Sequence, residues 1–268
     1  MANPHTATKP TRSTPAEPTA HRYPSSFLTM VVARVDFASP INLPEGGPPP
    51  GILKHITPTF PIYEEEAEVD ATFAVTGAGA SASTGQPRKV FKFWSKDRQK
   101  VATIARDNFS VEYKKYHSFI ALMGDFNALL TPLSGRFKQL QSKRLGLRYV
   151  NTIEPDKDNA QLYDWTNYFV EPLTTTFTLG DPSNLTRSFH VVERNHGDFR
   201  SKLQYGMVNP NYPAIIKKKS FIIDTDHVNL NLLTPNEVRQ ALPDLHSAAK
   251  TLFESLIKDD LRDLMNKP

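Results

Sequence analysis

Val31, Ala33, Val35 and Phe37 alternate with Val32, Arg34 and Asp36, the period of two expected of a strand with one buried face. Pro40, Pro44 and the run Gly46 to Pro50 then exclude regular structure. Gly51 to Phe60 suits a short helix, ended near Thr57 because Pro58 disfavours helical geometry in the residue before it. Val69 to Thr76 reads as a second strand, and the acidic run Glu64, Glu65, Glu66 and Glu68 as a solvated face or loop. Gly77 to Gly85 reads as a hairpin loop. A phosphate cradle would need a helix N-terminus directly after the glycines, whereas Gln86 to Lys89 leads into the strand Val90 to Trp94.

From Val90 the pattern is a meander. Val101 to Ala105 returns after a turn at Ser95 to Arg98, and Phe109, Val111 and Tyr113 alternate after a turn at Asp107-Asn108. The period then changes: Tyr116, Phe119, Ile120, Met123, Phe126 and Leu130 form one apolar helical stripe, which Pro132 and Gly135 are expected to interrupt. Arg144 to Ile153 alternates again, with Leu145, Leu147, Tyr149 and Ile153 on one side.

The second half repeats this grammar. Thr174 to Leu179, Phe189 to Arg194, Phe199 to Met207 and Ser220 to Leu232 read as strands. A helical end follows, with Thr234 as N-cap, Pro235 at the first helical position and Glu237 completing a capping box. Pro243 should kink or restart it. Tyr116-His117-Ser118 and Leu245-His246-Ser247 are a faint internal echo, each lying in a long helix after an aromatic-led strand. The expected fold class is α+β, with antiparallel meander sheets, long helices packed on one face and two lobes related by duplication. The lobes would span 27–154 and 155–268. Residues 1–26, rich in Pro and Thr and poor in apolar bulk, read as a disordered tail.

Composition narrows the chemistry. The chain has 268 residues and no Cys, which excludes disulfide frameworks, thiolate metal sites and cysteine nucleophiles. Its formal net charge of +4 is too small for a strong electrostatic footprint. No apolar run reaches the ~18 residues of a membrane helix, so no membrane partner is expected, and a cytoplasmic location follows. No Gly-x-Ser-x-Gly elbow is present, and the balance leans against an enzyme. No cofactor is expected.

Three residue groups stand out. Arg144, Gly146 and Arg148 share one face of their strand; the glycine would admit a close approach, and the arginines could clamp a carboxylate or phosphate. The alternative is a bulge beneath a helix, with both guanidinium groups satisfied by carbonyls. Lys138 and Lys143, with Lys217, Lys218 and Lys219, could neutralise nucleic-acid phosphates. Asp224 and Asp226, with His190, His196 and Asp198 nearby, are the most metal-like set. Alternation puts Asp224 and Asp226 on one face and Thr225 and His227 on the other, so only the Asp pair could share an ion.

Phe93-Trp94-Ser95-x-Asp97, Tyr116 at the start of its helix, Gly146-Leu147-Arg148-Tyr149-x-Asn151, Phe221-x-x-Asp224 and Leu245-His246 occur here in that order. In this the chain resembles an uncharacterised, sporadically distributed prokaryotic family of comparable length. The resemblance runs from about Phe27 to the C-terminus and supplies no activity. The patchy distribution implies mobile genes, accessory to defence or toxin systems. The leading expectation is therefore a non-enzymatic protein that binds a partner, another protein, through Arg144, Gly146 and Arg148. The alternatives are a nucleic-acid-binding module and a divalent-metal-dependent hydrolase.

Overall fold

The structure, a computed structural model, describes residues 23–44, 47–68, 71–76, 79–84, 88–155 and 162–267. Its centre is one antiparallel sheet of nine strands. In chain order these are β1 (Leu28–Phe37), β2 (Ile62–Glu68), β5 (Arg88–Trp94), β6 (Lys100–Ala105), β7 (Asn108–Tyr113), β8 (Ser142–Ile153), β9 (Ser188–Asn195), β10 (Arg200–Met207) and β11 (Phe221–Asn229). A separate hairpin pairs β3 (Ala71–Thr76) with β4 (Gly79–Thr84). The helices are α1 (Pro50–Ile56), α2 (Phe119–Arg136), the single turn α3 (Glu171–Thr174), α4 (Pro235–Leu256) and α5 (Asp259–Asn266). Strand order across the sheet is β2-β5-β6-β7-β1-β8-β11-β10-β9.

Alternation decides which face is dry. Val31, Ala33 and Val35 of β1 pair with Tyr149, Leu147 and Leu145 of β8, and all six are buried. They share one apolar core with Leu122, Phe126, Leu129 and Leu133 of α2 and with Val238, Leu242, Leu245 and Ala249 of α4. A second core forms around Trp165, Phe169 and Phe221, joined by Leu203 and Met207 of β10 and Leu261 and Met265 of α5. The expected lobes are not separate sheets, because β8 pairs with β1 on one side and β11 on the other.

Several expected elements are corrected. Thr174 to Leu179 is not a strand: α3 continues into a 3-10 turn at Thr175–Thr178. The Thr174 and Thr175 hydroxyls donate to the Glu171 carbonyl, a local bond that competes with strand pairing. The acidic run is strand β2, an edge whose carboxylates meet Lys89, Lys92 and Arg98. Part of the expected Gly77 to Gly85 loop is strand β4. Helix α2 passes through Pro132 to Arg136, and α4 runs from Pro235 to Leu256 with Pro243 inside it. The α4 capping box forms as expected. Residues 1–22 of the expected tail lie outside the described residues, but Tyr23 donates to Glu254 at 2.8 Å and Ser25 Oγ to the Lys267 carbonyl at 2.8 Å.

Candidate functional site

Strand β8 carries different chemistry on its two faces. On the solvent-facing side, Arg148 donates to Asp224 through Nε at 2.8 Å and Nη2 at 2.6 Å. Arg144 donates to Asp226 at 3.1 Å and to Asp36 at 3.4 Å, and Asp36 also accepts from Arg34 Nε at 2.8 Å. The Arg144 guanidinium lies across Gly146, where a Cβ would meet Nη1 at 2.7 Å; any side chain there would displace it. Neither expectation for this segment holds in full. Gly146 is outward and flanked by guanidinium groups, yet it is buried beneath one of them, and the arginines are satisfied by carboxylates of neighbouring strands.

The same bonds change the reading of Asp224 and Asp226. Each holds an arginine, and among the described residues no group of three or more His, Asp or Glu is placed to bind a metal ion. The Asp226 carboxyl is nonetheless pushed up, because burial outweighs Arg144 and Arg148. His190, on the other face, bonds Thr176 at 3.0 Å and Ser188 at 2.9 Å.

The lysines do not form one patch. Lys138 and Lys143 are exposed near the β8 start, whereas Lys217 to Lys219 precede Phe221, which pairs with Ile153 at the β8 end. Twelve strand residues at a ~3.3 Å rise put these ends roughly 35 Å apart. Within the second group Lys218 pairs with Glu154 at 2.5 Å, and Lys219 is buried over the rings of Trp165 and Tyr168. Only Lys217 of that triplet remains exposed without such a bond among the described residues.

On the buried face of β8, Tyr149 Oη and His246 Nδ1 are 2.8 Å apart, and the imidazole stacks on Phe119 with centroids 4.0 Å apart. Tyr116 meets Tyr149 edge-on at 5.8 Å. Burial lowers the His246 pKa to about 4, helped by Lys250, and holds the Tyr149 hydroxyl well above its ordinary value. Both groups are neutral at ordinary pH, so a single proton bridges the two atoms, given by the phenol or by Nδ1–H according to the tautomer of the ring.

A groove of about 750 Å³ lies between α4 and the β9–β11 end of the sheet. That volume falls within the ~300–1,000 Å³ of small-molecule sites. Arg194, Ser201 and His227 face one another in register across β9, β10 and β11. Ser201 Oγ bonds His196 Nε2 at 2.8 Å, and the His196 ring stacks on Phe199. His227 is 1 % exposed, its Nδ1 is sealed without a hydrogen-bond partner, and burial, with some help from His196, lowers its pKa to about 4. Asp244 of α4 stands at this polar end. Towards the other end the lining is mostly apolar, with Leu203 of β10, Leu252 and Leu256 of α4, Val170 before α3 and Leu173 within it, and it also carries the hydroxyl groups of Tyr205, Thr251 and Ser255.

No known family model matches the chain, and no curated protein matches it. The groove residues come from four separate stretches, which is why spacing did not assemble them. One signal was present: alternation turned His227 towards the buried face, where a polar residue demands a reason.

Among the described residues no helix is long and apolar enough to cross a membrane.

Proposed function

We propose that the protein acts by binding rather than by catalysis, and that the groove between α4 and β9–β11 holds its ligand. The observation that carries this is His227, a buried imidazole with an unpartnered Nδ1 in the wall of a ligand-sized groove. An unpaired buried polar atom costs about 1–3 kcal/mol, and an apolar side chain of similar shape would avoid that cost. Nδ1 stays sealed with or without a ligand, so the cost is offset by the other edge of the ring, which lines the groove and can meet a ligand.

The element order supports reading the fold as a doubled unit, strand–helix–meander–long helix, with both long helices on the buried face. The first copy is β1, α1, β5-β6-β7, α2, with β2 and the β3–β4 hairpin inserted after α1; the second is β8, α3, β9-β10-β11, α4. Apart from the edge strand β2, which has no counterpart, sheet order is mirrored about the β1–β8 border. This moves the boundary to before β8 instead of residue 154. In the first copy α1 packs against α2, and Ile52, Ile56 and Phe60 fill the core there. The second copy has only the single turn α3 in that place, which leaves the groove open. The resemblance to an uncharacterised prokaryotic family stays part of the proposal. So does the cytoplasmic placement.

A second reading, a protein partner on the solvent-facing side of the sheet, is favoured by Arg148. Its side chain is 44 % exposed although Asp224 fixes its orientation. With its donors turned onto Asp224, that face offers less to a partner than the groove does.

The test uses the neutral, environment-sensitive dye N-phenyl-1-naphthylamine. Wild-type protein should enhance its fluorescence, and Ala248→Trp, which fills the groove from α4, should abolish the enhancement with the melting temperature unchanged. Equal enhancement by a folded Ala248→Trp protein would refute the assignment.

A further inference from the structure

The groove is chemically polarised along its length, and this says what it can hold. At one end the row Arg194, Ser201 and His227 spans three adjacent strands, and direct cross-strand partners project to the same face about 5 Å apart. Two rows along, Tyr205 marks the other end, roughly 13 Å away by strand rise. Helix α4 runs alongside from Asp244 to Leu256, roughly 18 Å at 1.5 Å per residue. The head end carries the charged groups and imidazoles, and the far end is mostly apolar with the uncharged hydroxyl groups of Tyr205 and Ser255.

The head end is also rich in donors. Arg194 is exposed, and no bond from the described residues engages its guanidinium, so its fork of N–H groups is open to a ligand. His227 Nδ1 is sealed and without a partner, so the edge of the ring that can meet a ligand is Nε2, and the tautomer protonated there offers an N–H donor. The Ser201 hydroxyl is held in place by His196 at 2.8 Å. An unengaged guanidinium beside an imidazole suits a monoanionic acceptor, with the Ser201 hydroxyl adding a donor when His196 gives its own Nε2–H to it, and a guanidinium meets a planar carboxylate through two parallel bonds.

We infer that the ligand is a carboxylate on an apolar chain, with its head on the Arg194–Ser201–His227 row and its tail between Leu203, Leu252 and Leu256. The inference rests on the reading of the groove as the ligand site. Asp244 opposes it: this carboxylate lines the same end and repels an anionic head. That opposition separates a simple carboxylate from a zwitterion, for which Asp244 would be an anchor.

The experiment displaces bound N-phenyl-1-naphthylamine with decanoate, 1-decanol or decylamine at neutral pH and low salt. Decanoate should act at concentrations about tenfold or more below 1-decanol, the share expected of a charge-assisted contact. Arg194→Gln should erase that preference, and Asp244→Asn should strengthen decanoate, both with unchanged melting temperatures. Equal potency of decanoate and 1-decanol, preference for decylamine, or weakening by Asp244→Asn would each overturn the carboxylate assignment while leaving the groove as a ligand site. Failure of the dye to bind, or undiminished binding to folded Ala248→Trp, would overturn both.

Discussion

The Tyr149 hydroxyl meets Nδ1 of His246 at 2.8 Å, tying the middle of β8 to the middle of α4 across residues far apart in sequence. This bond is surrounded by the rings of Phe119 and Tyr116, so water is poorly placed to replace it. Tyr149→Phe keeps the ring packing and leaves Nδ1 of the imidazole without its partner. The expected loss is about 1–3 kcal/mol, read as a drop in melting temperature of about 2–4 °C per kcal/mol for a chain of this size. A melting temperature equal to wild type would mean the bond contributes nothing net.

The two buried imidazoles set an acid limit. His227 and His246 each have a folded-state pKa of about 4, below the ordinary value of 6.5, because burial disfavours the charged ring. The folded state thus binds fewer protons than the unfolded chain between those values. Their contribution is fully present above pH ~6.5 and is lost as pH falls towards ~4. Stability should fall by a few kcal/mol over that window, since each tenfold drop in proton affinity on folding is worth ~1.4 kcal/mol. Chemical denaturation at closely spaced pH values checks it, and His246→Gln should flatten the slope.

Arg148 and Asp224 make a different prediction. Asp224 is only 10 % exposed at its side chain and Arg148 44 %, so removing the arginine strands the more buried partner. Arg148→Ala should cost about 1–2 kcal/mol, discounted for the solvent that already reaches the guanidinium. Arg148→Ala with Asp224→Asn should cost less than the sum of the two single changes, as expected of residues in contact. Additive losses in a double-mutant cycle would show that the pair acts independently.

What the sequence made legible follows from where each side chain lies. β1 and β8 alternate cleanly because one face is buried against helices and the other meets solvent, so Val31 and Leu147 mark the inside and Arg34 and Arg148 the outside. The Glu64–Glu68 strand was hidden because β2 is an edge whose charges satisfy cross-strand lysines and no apolar stripe appears. β4, built of Ala, Ser, Gly and Thr, offers no amphipathic contrast. Thr174 to Leu179 misled because β-branched threonines favour strands until their hydroxyls find a carbonyl one turn back. The solvent-facing cluster was half legible: the arginines were visible in β8, and the aspartates that satisfy them were visible in β11. Their pairing required the register of Arg148 opposite Asp226 and next to Asp224. The groove was illegible because the gap beside the single turn α3 is a property of packing, with no residue type to announce it.

His227 supplies the prediction that separates ligand use from stability. His227→Leu removes a buried nitrogen that has no partner and fills the same space with an apolar side chain. At neutral pH this change should be neutral or stabilising, by up to about 1 kcal/mol, which is unusual for a substitution at a position 1 % exposed. Because the ring's depressed pKa disappears with it, the fall in stability between pH ~6.5 and ~4 should also become shallower. If the imidazole serves the groove, the more stable variant should bind decanoate more weakly, with its melting temperature held or raised. A variant that loses several kcal/mol at neutral pH would show that the ring is a packing element.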